Sequence, residues 1–175
     1  GNLTSSSSDP ESALGNVALL QKNSELRFGL LGGDVDYYGS SSGEGSLIKN
    51  GSGITTIHGV LGHSGQTSVR DGTLRIGSTG VLNPSSSLIA NAWDRPKPSK
   101  IDLGGTTQNV LRTWLRGGEL VNGNLSSGNQ VIVDKGNENV ISDINGQSGA
   151  SVTVRFASDS DSEVSLKFSG ANPLS

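Results

Sequence analysis

Few side chains in this sequence have the types and spacing that could support metal binding or catalysis. Asp34 and Asp36 are two residues apart, so in a strand both carboxylates would point to the same side. Together with a third carboxylate they could bind Ca²⁺, which prefers oxygen ligands. No further Asp, Arg or Lys close to them completes such a site. We therefore interpret the pair as part of a solvated strand face.

The two histidines, His58 and His63, are the only ones in the chain, and there is no cysteine. A zinc site or a Ser/His/Asp triad would need further partners that converge on them. We predict surface or corner packing for both. The acidic stretch at Asp159, Asp161 and Glu163 lacks the glycine and the terminal glutamate of an EF-hand, which favours an acidic turn. We predict no catalytic residue, no metal site and no cofactor, and we expect that the protein is not an enzyme.

A stretch rich in turn-forming and charged residues, ANAWDRPKPSK at 90–100, is the candidate binding site. It contains Trp93, Asp94, Arg95 and Lys97. Binding residues are commonly carried by exposed loops on a rigid scaffold, and Trp and Arg are frequent contact anchors. The alternative is that Trp93 folds back to cover the core or an end of the fold.

The composition limits the class of fold. Hydrophobic residues make up 31 % of the chain and aromatic residues 4 %, so a compact core of Phe, Tyr and Trp is excluded. A glycine-rich chain could be disordered, but only 17 % of residues are charged and the aliphatic residues recur regularly. The net charge is −3 and there is no run of Lys or Arg, so we do not expect nucleic acid as a partner.

Short alternating apolar stretches predict an all-β fold. Alternation places the aliphatic side chains of each stretch on one face of a strand; the stretches include Leu74/Ile76, Ile101/Leu103, Val131/Val133, Val152/Val154/Phe156 and Val164/Leu166/Phe168. Hairpin folds remain an alternative, because Asn50-Gly51 and Asp71-Gly72 could form two-residue turns. Strands this short, with glycine or polar residues between them, favour a solenoid of about seven coils of about 20–25 residues. Residues 1–15 read as a polar lead-in and 16–175 as the solenoid.

Residues 45–77, GSLIKNGSGITTIHGVLGHSGQTSVRDGTLRIG, resemble the autotransporter-associated β-strand repeat without a gap. The pattern positions that match are Gly45, Leu47, Lys49, Gly51, Gly53, Ile57, Gly59, Gly65, Thr67, Val69, Gly72, Thr73, Leu74 and Gly77. Three residues depart from the pattern: Thr55 replaces an aliphatic residue, Leu61 an asparagine and His63 an aromatic residue. Residues 99–125 resemble the coil that follows the repeat, with its L-G-G-x-x-Q signature at 103–108. The end of the sequence, LKFSGANPLS, resembles the middle of a repeat that starts again.

The resemblance implies a right-handed, single-stranded parallel β-helix that is a segment of a longer bacterial autotransporter passenger. It implies an extracellular or cell-surface location, a role as stalk or adhesin, and a segment of the autochaperone type that aids folding during secretion. The partners it implies are a host surface protein or glycan, a second copy of the chain, and the passenger's own C-terminal outer-membrane β-barrel. Two alternatives remain: a polysaccharide-acting β-helix enzyme or tailspike-like protein, and a self-association module.

Overall fold

A computed structural model describes residues 15–19, 21–92, 94–95, 97–125, 130–135, 139–146, 151–154 and 166–169. In these ranges the chain forms short strands and no helix, so none of them contains a helix that could span a membrane. The strands are β1 Val17–Leu19, β2 Glu25–Phe28, β3 Val35–Tyr37, β4 Ser41–Gly43, β5 Ser46–Lys49, β6 Ile54–Ile57, β7 Val60–Leu61, β8 Gln66–Val69, β9 Thr73–Ile76, β10 Val81–Leu82, β11 Ser87–Asn91, β12 Ser99–Asp102, β13 Thr107–Gln108, β14 Arg112–Arg116, β15 Gly118–Leu125, β16 Gln130–Lys135, β17 Asn139–Gly146, β18 Ser151–Val154 and β19 Leu166–Ser169.

The strands assemble into three parallel sheets that the chain visits in turn. Sheet A has the order β1-β4-β7-β10, sheet B the order β2-β5-β8-β11-β14-β16-β18, and sheet C the order β3-β6-β9-β12-β15-β17-β19. Neighbours within a sheet are therefore strands of successive turns. This is a β-solenoid of about six turns. The predicted all-β parallel solenoid is confirmed, with about six turns where the sequence suggested about seven.

The turns of the solenoid differ in length by several residues. Leu47 pairs with Thr67 and Thr67 with Leu88, which are steps of 20 and 21 residues. The step from Leu74 to Ile101 in sheet C is longer, at 27 residues. Variation of this kind is absorbed at the corners, and the strands of successive turns stay in register apart from a shift between Leu115 and Arg116 in the pairing of β14 with β16.

Inward-facing side chains of successive turns stack into narrow apolar columns. In sheet C, Leu74, Ile101, Leu120 and Ile141 are mutually in register and all fully buried. Burial of one such side chain stabilises the fold by about 1.5–3 kcal/mol. Thr55 precedes Leu74 in the same column, and its buried hydroxyl has no hydrogen-bond partner. The position where the repeat usually has an aliphatic residue is therefore a core position.

Lys49 is fully buried at the corner between sheets B and C, although lysine is rarely an interior residue. Its Nζ donates to the carbonyl oxygens of Asn50 at 3.1 Å, Gly51 at 2.6 Å and Asp71 at 3.2 Å. Two of these carbonyls belong to its own turn and the third to the next turn. The lysine therefore links two successive turns through backbone oxygens that would otherwise lack a donor.

Gln108 is the last residue of the L-G-G-x-x-Q signature, and its side-chain amide hydrogen-bonds to the backbone at β10, the last strand in the order of sheet A. Its Oε1 accepts a hydrogen bond from the Leu82 backbone N at 3.1 Å, and its Nε2 donates to the Gly80 carbonyl at 3.0 Å. The amide thus satisfies the backbone of β10, while β13 pairs with β15 through Thr107 and Asn124. A buried glutamine is suited to this position because its amide both donates and accepts.

Candidate functional site

The loop singled out from the sequence lies at a corner between sheets B and C. It connects Asn91, the last residue of β11, to Ser99, the first residue of β12, whereas only residues 70–72 separate β8 from β9 at the preceding corner. Asp94 and Arg95 are about half exposed and form an ion pair of 3.7 Å between Oδ1 and Nε. Lys97 is exposed as well.

The contact role of this loop stays a prediction. Trp93, its proposed anchor, lies outside the described residues, as does the acidic stretch at 159–163. The structure brings Asp94 and Arg95 together, and it places Lys97 beyond them in the same exposed segment.

The two carboxylates of the Asp34/Asp36 pair engage separate partners. Asp34 Oδ1 accepts a hydrogen bond from the Ile54 backbone N at 2.7 Å. Asp36 Oδ1 lies 3.1 Å from His58 Nε2, and the His58 ring stacks on Tyr38 with 4.4 Å between centroids. Within the part of the chain that the structure describes, no three His, Asp or Glu residues come together as a metal site. The pair therefore acts as two surface links between adjacent turns.

His63 lies inside the solenoid between two hydroxyl groups. Its Nδ1 is 2.8 Å from Ser41 Oγ and its Nε2 is 3.0 Å from Thr67 Oγ1. A serine beside a histidine is the start of a nucleophilic triad, but here Thr67 takes the place of the carboxylate. Ser41 and His63 are also buried, at 2 % and 0 % exposure, so a substrate could not reach them. We interpret Ser41, His63 and Thr67 as a set of hydrogen-bonded polar side chains inside a corner of the solenoid.

Acidification is expected to weaken the fold through His63. Burial lowers the pKa of His63 from its usual value, so the folded chain holds a neutral imidazole. As the pH falls below about 6.5, His63 takes up a proton in the unfolded chain but stays neutral in the folded chain. The free energy of unfolding therefore decreases until the pH passes the lowered pKa of the folded state. Urea unfolding at several pH values between 7.5 and 5 measures this decrease. The His63→Gln variant should show a smaller decrease, and identical slopes for the two proteins would contradict the assignment.

The outer face of sheet C carries ion pairs between successive turns. Arg75 Nε donates to Asp102 Oδ2 at 2.9 Å, and Lys100 Nζ lies 2.9 Å from Glu119 Oε2. Asp102 Oδ1 also accepts from Asn122 Nδ2 at 3.0 Å. Opposite charges on neighbouring strands favour the observed register by a few tenths to about 1 kcal/mol each. These charged side chains therefore stabilise the contact between successive turns.

The outer face of sheet B has a different composition. Along β14, Thr113 and Leu115 are buried inward, and alternation turns Arg112, Trp114 and Arg116 outward. The guanidinium carbons of Arg112 and Arg116 lie over the Trp114 ring, 5.8 and 5.6 Å from its centroid. Cation–π attraction of this kind holds the two guanidinium groups against the indole.

Two preceding turns extend this surface. Ile89 of β11 is in register with Trp114 and also with Ser68 of β8. Ile89 is 4 % exposed yet is not a member of the core cluster, so it is buried on the outside of the sheet. We name the outward side of β8, β11 and β14, together with Arg70 directly after β8, the Trp114 face.

The sequence analysis did not single out this face. The available signal was the alternation in RTWLR, where Arg, Trp and Arg share one side of the strand. What the sequence could not indicate is which residues of other turns lie beside them, since Ile89 is 25 residues from Trp114.

The chain can be compared with known proteins. The chain is 34 % identical over 106 residues to the Adhesin BmaC autotransporter of Brucella suis biovar 1 (strain 1330). The resemblance to autotransporter passengers is confirmed. The match covers 60 % of this chain but only 3 % of that autotransporter, so the chain corresponds to a small part of it. No family model matches the chain, and no solved structure does.

Proposed function

We propose that the chain is a passenger segment of a bacterial autotransporter, located at the cell surface or released from it, and that it serves as an adhesive scaffold. The observation that carries this proposal is the similarity to an autotransporter named an adhesin, on a chain that forms a parallel solenoid. In a solenoid, stacked turns keep one set of side chains inward and present the other along an extended surface. Such a surface suits attachment.

The geometry of the same turns supports a further role in folding. Each strand pairs in parallel with the strand one turn earlier, so a completed turn offers hydrogen-bonding groups and an apolar column to the next. Contacts are made between neighbouring turns, and folding can therefore proceed turn by turn. A chain that emerges outside the cell could in this way fold without an energy source.

Two measurements test the proposal. Antibodies against the purified chain should label intact, unpermeabilised cells that produce the full protein, and added protease should remove the label. Beads coated with the purified chain should bind host epithelial cells more than beads coated with an unrelated protein of the same net charge. Labelling only after permeabilisation, or equal binding of both kinds of bead, would contradict the proposal.

A further inference from the structure

The side chain of Gln108 takes the place of a strand residue beside β10. In a parallel ladder, each residue donates its N–H to the residue before its partner and accepts with its C=O from the residue after it. Gln108 makes both of these bonds around Val81. Its Nε2 donates to the Gly80 carbonyl at 3.0 Å, and its Oε1 accepts from the Leu82 backbone N at 3.1 Å. The side-chain amide therefore acts on Val81 as the peptide group of a paired strand would.

One turn earlier, the backbone itself makes the equivalent contact in sheet A. Val81 is in register with Val60, and its backbone N donates to the Gly59 carbonyl at 3.1 Å. In the described ranges, β10 is the last strand in the order of sheet A, and β13 of the following turn pairs with β15 instead. We call the contact between the Gln108 side chain and β10 the sheet A seam.

The amide of Gln108 is oriented by its own turn. Nε2 also donates to Thr106 Oγ1 at 2.9 Å, and that hydroxyl donates to the Leu103 carbonyl at 2.6 Å. A flipped amide would set its donors against the Leu82 N–H and its oxygen against the Gly80 carbonyl, so the partners determine the orientation. Gln108 is 4 % exposed, and both atoms of its amide are hydrogen-bonded. The seam is therefore closed in this structure.

Sheets B and C make the same contact between turns with backbone ladders. Ser87–Asn91 of β11 pairs residue for residue with Arg112–Arg116 of β14, and Ser99–Asp102 of β12 pairs with 118–121 of β15. To open a ladder, several backbone bonds must break together, whereas rotation of one side chain releases the seam. Local opening is easiest where few bonds hold a segment in place. The contact between these two turns is therefore weakest on the side of sheet A.

We propose that Gln108 is a releasable latch, and that the solenoid opens locally at the sheet A seam while sheets B and C stay paired between the same two turns. The inference goes beyond the adhesive function, because it concerns a movable part of the scaffold. Release of the latch frees the Gly80 carbonyl and the Leu82 N–H together. It also uncovers Leu82 and Val110, which are each 2 % exposed when the seam is closed. One side of the scaffold can thus open while the other two sheets hold.

Hydrogen exchange of single backbone amides, followed by NMR on the purified chain, tests the proposal. The Leu82 amide reports the seam. The Leu103 amide donates to the Val121 carbonyl at 2.9 Å and the Ala92 amide to the Arg116 carbonyl at 2.9 Å, so they report sheets C and B between the same turns. In the parent chain, protection of the Leu82 amide should be at least about tenfold lower than that of the other two. Equal protection of all three amides would overturn the proposal.

The Gln108→Met variant removes the amide and keeps most of the side-chain volume. Protection of the Leu82 amide should fall about tenfold or more below its value in the parent chain, because its acceptor is lost. Protection at Leu103 and Ala92 should stay as in the parent chain. An unchanged Leu82 amide, or an equal loss at Leu103, would contradict the latch.

Gln66→Met is the matched control, since Gln66 lies exposed at the start of β8. The same chemical change at this position should leave the exchange of all three amides as in the parent chain. If Gln108→Met loses its circular dichroism spectrum, the comparison of Leu82 with Leu103 and Ala92 in the parent chain still decides the question, because it needs no substitution.

Discussion

Replacement of Gly51 by alanine is expected to lower the free energy of unfolding by about 3–5 kcal/mol. Gly51 has a φ of 79°, a left-handed conformation that costs a residue with a Cβ about 1–2 kcal/mol. An added Cβ would also lie 1.9 Å from the Gly29 carbonyl oxygen of the preceding turn. Because backbone cannot move aside as a flexible side chain can, the two turns would have to separate.

Gly33 is the matched control for this substitution. A Cβ at Gly33 would meet no atom within 4 Å, and its φ is outside the left-handed region. Gly33→Ala should therefore change stability by no more than about 0.5 kcal/mol. Urea unfolding followed by circular dichroism gives both values, and equal losses for the two variants would contradict the close stacking of turns at the Gly51 corner.

Lys49 is expected to be the most sensitive polar side chain of the interior. Lys49→Ala removes three hydrogen bonds to carbonyl oxygens and leaves a cavity at the corner, so we expect a loss of about 3–5 kcal/mol. Desolvation lowers the pKa of Lys49, while the charges of Asp71 and Asp34 oppose that shift and favour the ammonium form. Desolvation of the Lys49 charge therefore offsets part of the stabilisation that its hydrogen bonds provide.

Lys49→Met separates the two contributions because methionine retains most of the volume and none of the donors. We expect a loss of about 1–3 kcal/mol for this variant, smaller than for alanine. Urea unfolding of the two variants beside the parent chain makes the comparison. A methionine variant as stable as the parent would mean that the bonds from Nζ do no more than offset the desolvation of the charge.

Much of the fold could be predicted because the solenoid core depends on local alternation. The pairs Leu74/Ile76 and Ile101/Leu103 were recognised as strands with one buried side, and all four side chains are fully buried. Repetition of such strands along the chain then predicted parallel stacking. The number of turns was less certain from sequence because Leu74 and Ile101 are separated by 27 residues, where shorter steps are usual.

The interior polar contacts were beyond sequence reasoning because their partners come from other turns. His63 was expected at the surface or packed in a corner, and only the structure places Ser41, 22 residues away, against its ring. Likewise, Gln108 accepts a hydrogen bond from the backbone N of Leu82, 26 residues earlier. Contacts at such separations depend on the exact length of each turn, which alternation alone does not determine.

The candidate site was harder to predict than the fold, for a related reason. A loop with Trp and Arg is visible in one stretch of sequence, and Asp94 and Arg95 do lie together in an exposed segment. The Trp114 face is assembled from three separate stretches, so its composition appears only once the register of the turns is known.

The stacking of turns in register is tested most directly by paired cysteines, since the chain has none of its own. Val60 and Val81 are exposed partners on adjacent strands β7 and β10 of sheet A, with an expected Cα separation of about 4.8 Å, which a disulfide can bridge. Mass spectrometry after mild oxidation should find an intramolecular disulfide in Val60→Cys/Val81→Cys. The Ser42→Cys/Val81→Cys control, two turns apart, should keep both thiols. Free thiols in the first variant, or equal cross-linking in both, would contradict the solenoid.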